Sequence, residues 1–505
     1  VVLEANLEAL NVEAYTVKAK TLNASVRIKD GTLSLPKLSA QLFEGEVAGQ
    51  GTLVLTGETR PKFDVRTTLK NISAQSLIRQ FAPQIDNNGV AFDGRIAGEA
   101  AFTGSSYKLK DLAGTVALTG KGGVDHQGQG VPLDLLVKGS LRESVVDVSS
   151  LNVDSAPLKL TTSGTVNVAS RELKLRYEIA SKDIQTMLKT IFTFIPDLKA
   201  DSPLRRFSGK IEQIRGAVQG SVAKLQIQAE AHFTNPDLVW IAADDLKADV
   251  TYQENTLRLN RCSIVHNSAE IEFTGTIDLS KPTAPQLELP IALKSGKLSD
   301  YLSLVKQAYP VEGTLKAVQT TISGPVDNLQ GKLALEVNDG TAWKQSFEKV
   351  SGKFELANNR VNIISLSVEK NGGKLALEGF FGFDLSFRAT LTATEINFRD
   401  LDAFKNIAVQ YQGRADLTFE AEGTLQNPRG KAAIRFKNLV YSGKPVEDVT
   451  CEVVIEKQAI QATLATFRKK FLASLQLSLT PELLYQAEIA MDGAAVEQIL
   501  SIVTN

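Results

Sequence analysis

Apolar and polar residues alternate along most of this chain. The runs LKLRYEIA (173–180), LQIQAEAHF (225–233), KLALEV (332–337), KLALEGFFGF (374–383) and DLTFEAEG (416–423) are the clearest cases. A period of two sends successive side chains to opposite faces of a strand. Each run therefore predicts a β-strand with one wet and one apolar face, the pattern of an antiparallel sheet. Thr, Val, Ile and Phe fill these runs, while Gly, Asn and Asp punctuate them, as strand and turn preferences require.

The pattern also repeats at a larger scale. A strand–glycine–strand phrase occurs in LSAQLFEGEVAGQGTLVLTG (38–57), NSAEIEFTGTIDLS (267–280) and NGGKLALEGFFGF (371–383). Four other segments open on Gly94, Gly209, Gly313 and Gly413 and carry a second glycine at Gly104, Gly220, Gly324 and Gly423. Tight or bulged turns that need φ > 0 account for glycine at such recurring places. Five further segments, 62–82, 173–193, 287–309, 385–407 and 485–503, run from a long strand into a short stretch of helical period. Ser299, Asp300, Asn397 and Asp400 are expected N-caps of two of these helices. The reading is five units of roughly 100 residues, with boundaries near 1–92, 93–207, 208–311, 312–411 and 412–505. Stretches 82–89 and 194–204 read as loops, and no Pro/Ser/Gly-rich linker separates the units. One continuous domain that adds strand to strand is expected.

Five short helices do not cover the apolar face of some thirty strands. A twisted sheet of that size must curl or fold over. The expected fold is mostly β: an elongated, curled antiparallel sheet forming a hydrophobic groove, with about five short amphipathic helices. Alternation assigns Val116, Leu118, Leu173, Leu175, Leu225, Ile227, Ile271, Phe273, Leu333, Leu335, Leu375, Leu377, Leu417 and Phe419 to the groove. Aromatics are only 7% of the chain, which favours an open aliphatic channel over a filled core.

Composition narrows the chemistry. The apolar fraction is 43%, and 56 basic residues against 57 acidic ones leave a net charge of −1. That balance gives no basic surplus for nucleic acid. Cys262 and Cys451 lie far apart in strand-like runs and read as half-buried strand cysteines. His126, His232 and His266 are isolated from one another, and no zinc, thiol-protease, Walker A or GxSxG pattern occurs. GKGGVDHQGQG (120–130) has strands on both sides, so it reads as a polar hairpin loop instead of a dinucleotide site. The expectation is no enzyme, no cofactor and no metal. FRKKF (467–471) reads either as a headgroup contact or as a solvated strand edge. No run approaches 18 apolar residues, and the chain opens on strand-like sequence without a signal peptide. The opening is expected to follow a targeting segment absent from this sequence.

The order GTLSLPKLSA (31–40), LFEGEVAG, the strand leading into SLIRQF, and then FDGRIAGEAAFTG resembles the AsmA-like (AsmA/TamB-type) family of bacterial envelope proteins. The likeness is one of spacing and residue type, and LFEG keeps one glycine, Gly45, where the family often has an aromatic–Gly–Gly turn. The resemblance implies a bridge-type lipid carrier with a periplasmic β-groove tethered to the inner membrane. It would carry phospholipid acyl chains between inner and outer membrane, with phospholipids and the two membranes as partners. The alternative is a β-scaffold that assembles outer-membrane proteins without conducting lipid.

Overall fold

In a computed structural model, residues 2–492 are described except 15–16, 56–61, 82–90, 107, 127–128, 195–205, 222, 282, 401–410, 425, 442, 448, 457–458, 467 and 479–484. The protein is mostly β, with 77% of the described residues in strands and 6% helical. The strands belong to one antiparallel sheet that is not closed into a barrel. The chain divides into two compact units, Val1–Cys262 and Ser263–Asn505.

In the first unit almost every strand pairs with the next one along the chain. Thirteen-residue strands Val2–Ala14 and Val17–Lys29 begin the series. Two-residue hairpins close several pairs in both units: Asp30–Gly31, Phe43–Glu44 and Glu143–Ser144 in the first, Asn358–Asn359 and Asn371–Gly372 in the second. Both residues of each turn have positive φ, the turn whose twist matches that of paired strands. Phe43–Glu44 is the turn that LFEG spells. Arg95 holds Glu44 there, with Nη2 3.3 Å from its carboxylate and Nη1 donating to its carbonyl.

Three short α-helices occur among the described residues, where five were expected. They are α1 (Ala74–Phe81), α2 (Ile184–Phe194) and α3 (Leu298–Leu304). The fourth expected site has only a 3₁₀ turn, Phe398–Asp400, opened by a hydrogen bond from Arg399 N–H to Asn397 Oδ1. The rest of that site and the fifth lie outside the described residues, as do the two predicted loops, apart from Phe194. Ser73 caps α1 by accepting from Ser76 N–H, and Asp183 caps α2 by accepting from Thr186 N–H and Oγ1–H. The expectation for Ser299 and Asp300 fails, because both fall inside the first turn of α3. Asp300 is engaged instead by Ser268 N–H and Oγ–H across a neighbouring hairpin.

The cap on α2 gives a stability test. Hydrogen bonds from Thr186 hold the Asp183 carboxyl below its ordinary range. A depressed folded pKa contributes stability that is full above the unfolded value and is lost as pH falls through the folded one. Asp183→Ala is expected to cost about 1 kcal/mol at neutral pH, and Asp183→Asn much less. Thermal melts at neutral and acidic pH check this: the penalty of Asp183→Ala should shrink in acid.

The described residues of GKGGVDHQGQG are strand and not loop. Residues up to His126 belong to strand Leu112–His126, and Gln129 onward to strand Gln129–Arg142. Gly122 faces Gly94 across the ladder, and a Cβ on Gly122 would overlap that backbone. The glycines there allow close strand approach, a role that resembles turn chemistry in sequence. Gly220, Gly324 and Gly423 do have positive φ, 106°, 101° and 124°, but each is the paired, last but one residue of its strand and not a turn residue.

Each unit has a small packed core beside a helix. In the first unit Ile184 and Met187 of α2 pack on Ile211, with Leu158, Phe207 and Phe233 around them. In the second, Tyr301 of α3 packs with Ala269, Leu315, Val318, Val337 and Phe347. The Tyr301 hydroxyl donates towards Lys294 O at 2.7 Å, so its polar end is satisfied within the core.

Candidate lipid-binding face

Directly paired residues in an antiparallel ladder project to the same side of the sheet, so register decides which positions share a face. In the first unit one row of partners crosses fourteen strands: Leu7, Ala24, Leu38, Gly49, Thr67, Ala100, Val116, Gly139, Val148, Gly164, Leu175, Val218, Ile227 and Tyr252. No charged residue interrupts it. Leu118 lies two residues from Val116 on the same strand, and Leu173 pairs through Gly220 with Leu225. All six groove positions expected in this unit therefore share a face. The opposite face carries Arg66, Ala101, Thr115, Ser140, Asp147, Thr165, Lys174, Gln219 and Gln226 in equally direct register.

In the second unit the apolar face is wider. One row runs Leu335, Gly352, Leu366, Leu377, Leu391, Phe419, Ala432, Val453, Ala462, Leu475 and Ala487. A parallel row from Val337 to Ile489 passes through Leu375, Leu417 and Cys451, and a third runs from Leu333 to Tyr485. Across these three rows every residue is apolar, aromatic, glycine or the cysteine. Ile271 pairs with Leu293 and Phe273 with Ile291, which continue the same face.

All fourteen positions are half-buried. Flanking side chains at i ± 2 and on neighbouring strands shield them partly, and full burial of a sheet face needs a second layer. They differ in what covers them. Ile271, Leu333 and Leu335 pack against the core around Tyr301. The other eleven belong to neither packed cluster. Of the cysteines, Cys262 is fully buried rather than half-buried, Cys451 is half-buried, and both are free. Burial raises both thiols above their ordinary pKa, which keeps them protonated and unreactive.

The polar faces hold charge ladders. A depression of about 630 Å³ in the first unit is lined by Arg176, Glu178, Arg215 and Glu230. Its charges face one another in register, with Arg215 Nη2 2.6 Å from Glu230 Oε2. His232 Nε2 lies 2.5 Å from Asp245 Oδ2, and Lys247 pairs with the other carboxylate oxygen. Near the end of strand Ser386–Asn397, Lys437 bridges Glu395 and Asp416, while Arg414 holds the other oxygen of Glu395. Those contacts lower both carboxyls and raise the Lys437 ammonium. Among the described residues no group of three or more His, Cys, Asp or Glu is placed to hold a metal ion. No helix among them is long and apolar enough to cross a membrane. Arg468 and Lys469 of FRKKF form an exposed hairpin turn with positive φ.

No protein-family model matches the chain, and the comparison with curated proteins gives no match.

Proposed function

We propose that the apolar faces bind the acyl chains of phospholipids, and that the protein is the periplasmic segment of an AsmA-like, bridge-type lipid carrier acting between inner and outer membrane. The observation that carries this reading is the set of three adjacent charge-free rows in the second unit. An acyl chain in water costs about 0.8 kcal/mol per CH₂, so two chains of ordinary length cost well over ~10 kcal/mol. A charge-free strip of half-buried Leu, Val, Ile and Ala removes much of that cost without specific hydrogen bonds. Such a strip needs no nucleophile and no cofactor, and the phosphate end of each lipid stays in water.

The packing of Ile271, Leu333 and Leu335 against Tyr301 and its neighbours supports a second reading for that part of the face, a scaffold whose own side chains fill it. Lipid analysis separates the two. Phospholipid is expected to accompany the purified protein in several copies per chain, measured by solvent extraction and native mass spectrometry. A protein that stays lipid-free after incubation with phospholipid vesicles would favour the scaffold.

A further inference from the structure

The chain has two tryptophans, and each stands at the tip of a strand hairpin, Trp240 70% and Trp343 66% exposed. They occupy equivalent places in successive repeats. Gly209 and Gly313 open corresponding strands with φ of 115° and 148°. Gly209 lies against the left-handed residue Asn235 (φ 48°), and Gly313 against Asn338 and Gly340, which flank the left-handed Asp339 (φ 49°). Trp240 follows Asn235 by five residues, and Trp343 follows Asp339 by four.

Both tips hold their indoles against local preference. Trp240 N–H donates to Leu238 O at 2.9 Å across Val239, whose φ is 75°. That is a three-residue turn of the strained hand, centred on a β-branched residue. Trp343 itself has φ 48° and Lys344 φ 68°, in a turn that favours Asn-Gly. Trp343 N–H donates to Pro310 O at 2.9 Å, which brings the turn beside Tyr309, itself 56% exposed. Strain kept at the same place twice points to a role for the side chain it presents.

We propose that Trp240 and Trp343 contact the glycerol-ester region of phospholipids whose chains lie on the apolar faces. This rests on the lipid-carrying reading above. An indole is apolar with one N–H donor and settles where hydrocarbon meets water. Both tips are exposed ends of strands that carry the apolar face, Leu225 and Ile227 before Trp240 and Leu333 and Leu335 before Trp343. An anchor repeated from unit to unit suits a ligand that is itself repeated along the protein, and Lys344 places a cation beside Trp343 for the phosphate.

Because there are two tryptophans, emission excited selectively in the indole band reports these sites alone. The protein is stripped of lipid, then loaded with phosphatidylcholine brominated either beside the ester or at the chain end. Loading is expected to shift emission to shorter wavelength, with the ester-side bromines quenching more strongly. Trp240→Phe and Trp343→Phe should each remove part of the quenched signal. Bound lipid with emission still typical of water would overturn this inference and leave the lipid-carrying reading standing. Quenching that requires intact vesicles, with no lipid retained by the protein, would overturn it in favour of a bilayer-docking surface. No lipid retained and no quenching would remove the reading on which it rests.

Discussion

Leu377→Asp is expected to reduce phospholipid transfer between donor and acceptor vesicles by roughly 60- to 300-fold while the protein stays folded. Leu377 sits mid-row between Leu366 and Leu391, on the charge-free face of the second unit. A carboxylate placed among acyl chains costs about 2.5–3.5 kcal/mol on insertion scales, and tenfold per 1.4 kcal/mol gives the range. The fold tolerates the change because Leu377 is half-buried and outside the packed cluster, so the carboxylate of the lipid-free protein still reaches water. Leu335 in the same row differs, since it packs against the core that holds Tyr301 and Val337. Leu335→Asp is expected to destabilise the second unit, because an unpaired charge would be forced into that core. Ala376→Asp is the control: Ala376 lies on the opposite face between Ser367 and Thr392 and should leave transfer unchanged. Equal transfer by wild type and Leu377→Asp, at equal stability, would place the lipid elsewhere.

Much of this face was legible in the sequence because alternation is local. Leu173/Leu175 and Leu375/Leu377 needed only their own strands to be paired off as same-sided. What alternation cannot supply is register between strands distant in sequence. The row joining Leu175 to Val218, or Leu391 to Phe419, depends on where each hairpin closes, and a shift of one residue would send either partner to the wet face. The packed cores were hidden for the same reason. Nothing near Phe347 signals that it meets Tyr301, and Leu333 reads in sequence like Leu375 although one is covered and the other is not.

Capping was legible where the cap is local. Ser73 and Asp183 hydrogen-bond three residues ahead, as their types predict, whereas Asp300 is claimed by Ser268 from another hairpin. The tryptophans were passed over because their positions conflict with turn preferences. Their signal lay in the repeat frame: a left-handed residue 26 positions after Gly209 and after Gly313, then a tryptophan five and four positions further on.

The repeated strand–glycine–strand phrase has a physical cause, and Gly275→Ala tests it. Gly275 lies in strand Ala269–Asp278 with φ 129°. A Cβ there would overlap the backbone carbonyl of Glu288 on the next strand and sit 3.1 Å from Leu289 Cα. The same arrangement recurs at Gly164 over Lys174 O (φ 132°), at Gly379 over Arg388 O (φ 150°), and without positive φ at Gly49 over Arg66 O. Each precedes the strand that leads into a helix or 3₁₀ turn, so the glycine lets one backbone cross close to the next where the sheet must bend. Alanine at 275 meets two penalties, an unfavourable φ and a collision with backbone that no rotamer relieves. Together these are expected to cost about 3–5 kcal/mol. Gly372→Ala isolates the first penalty: its φ is 81°, but its Cβ would meet nothing within 4 Å, so about 1–2 kcal/mol is expected. Urea midpoints of the two variants, with Gly275→Ala far below Gly372→Ala, would establish close approach as the reason for the repeat. Equal midpoints would reduce these glycines to ordinary positive-φ positions.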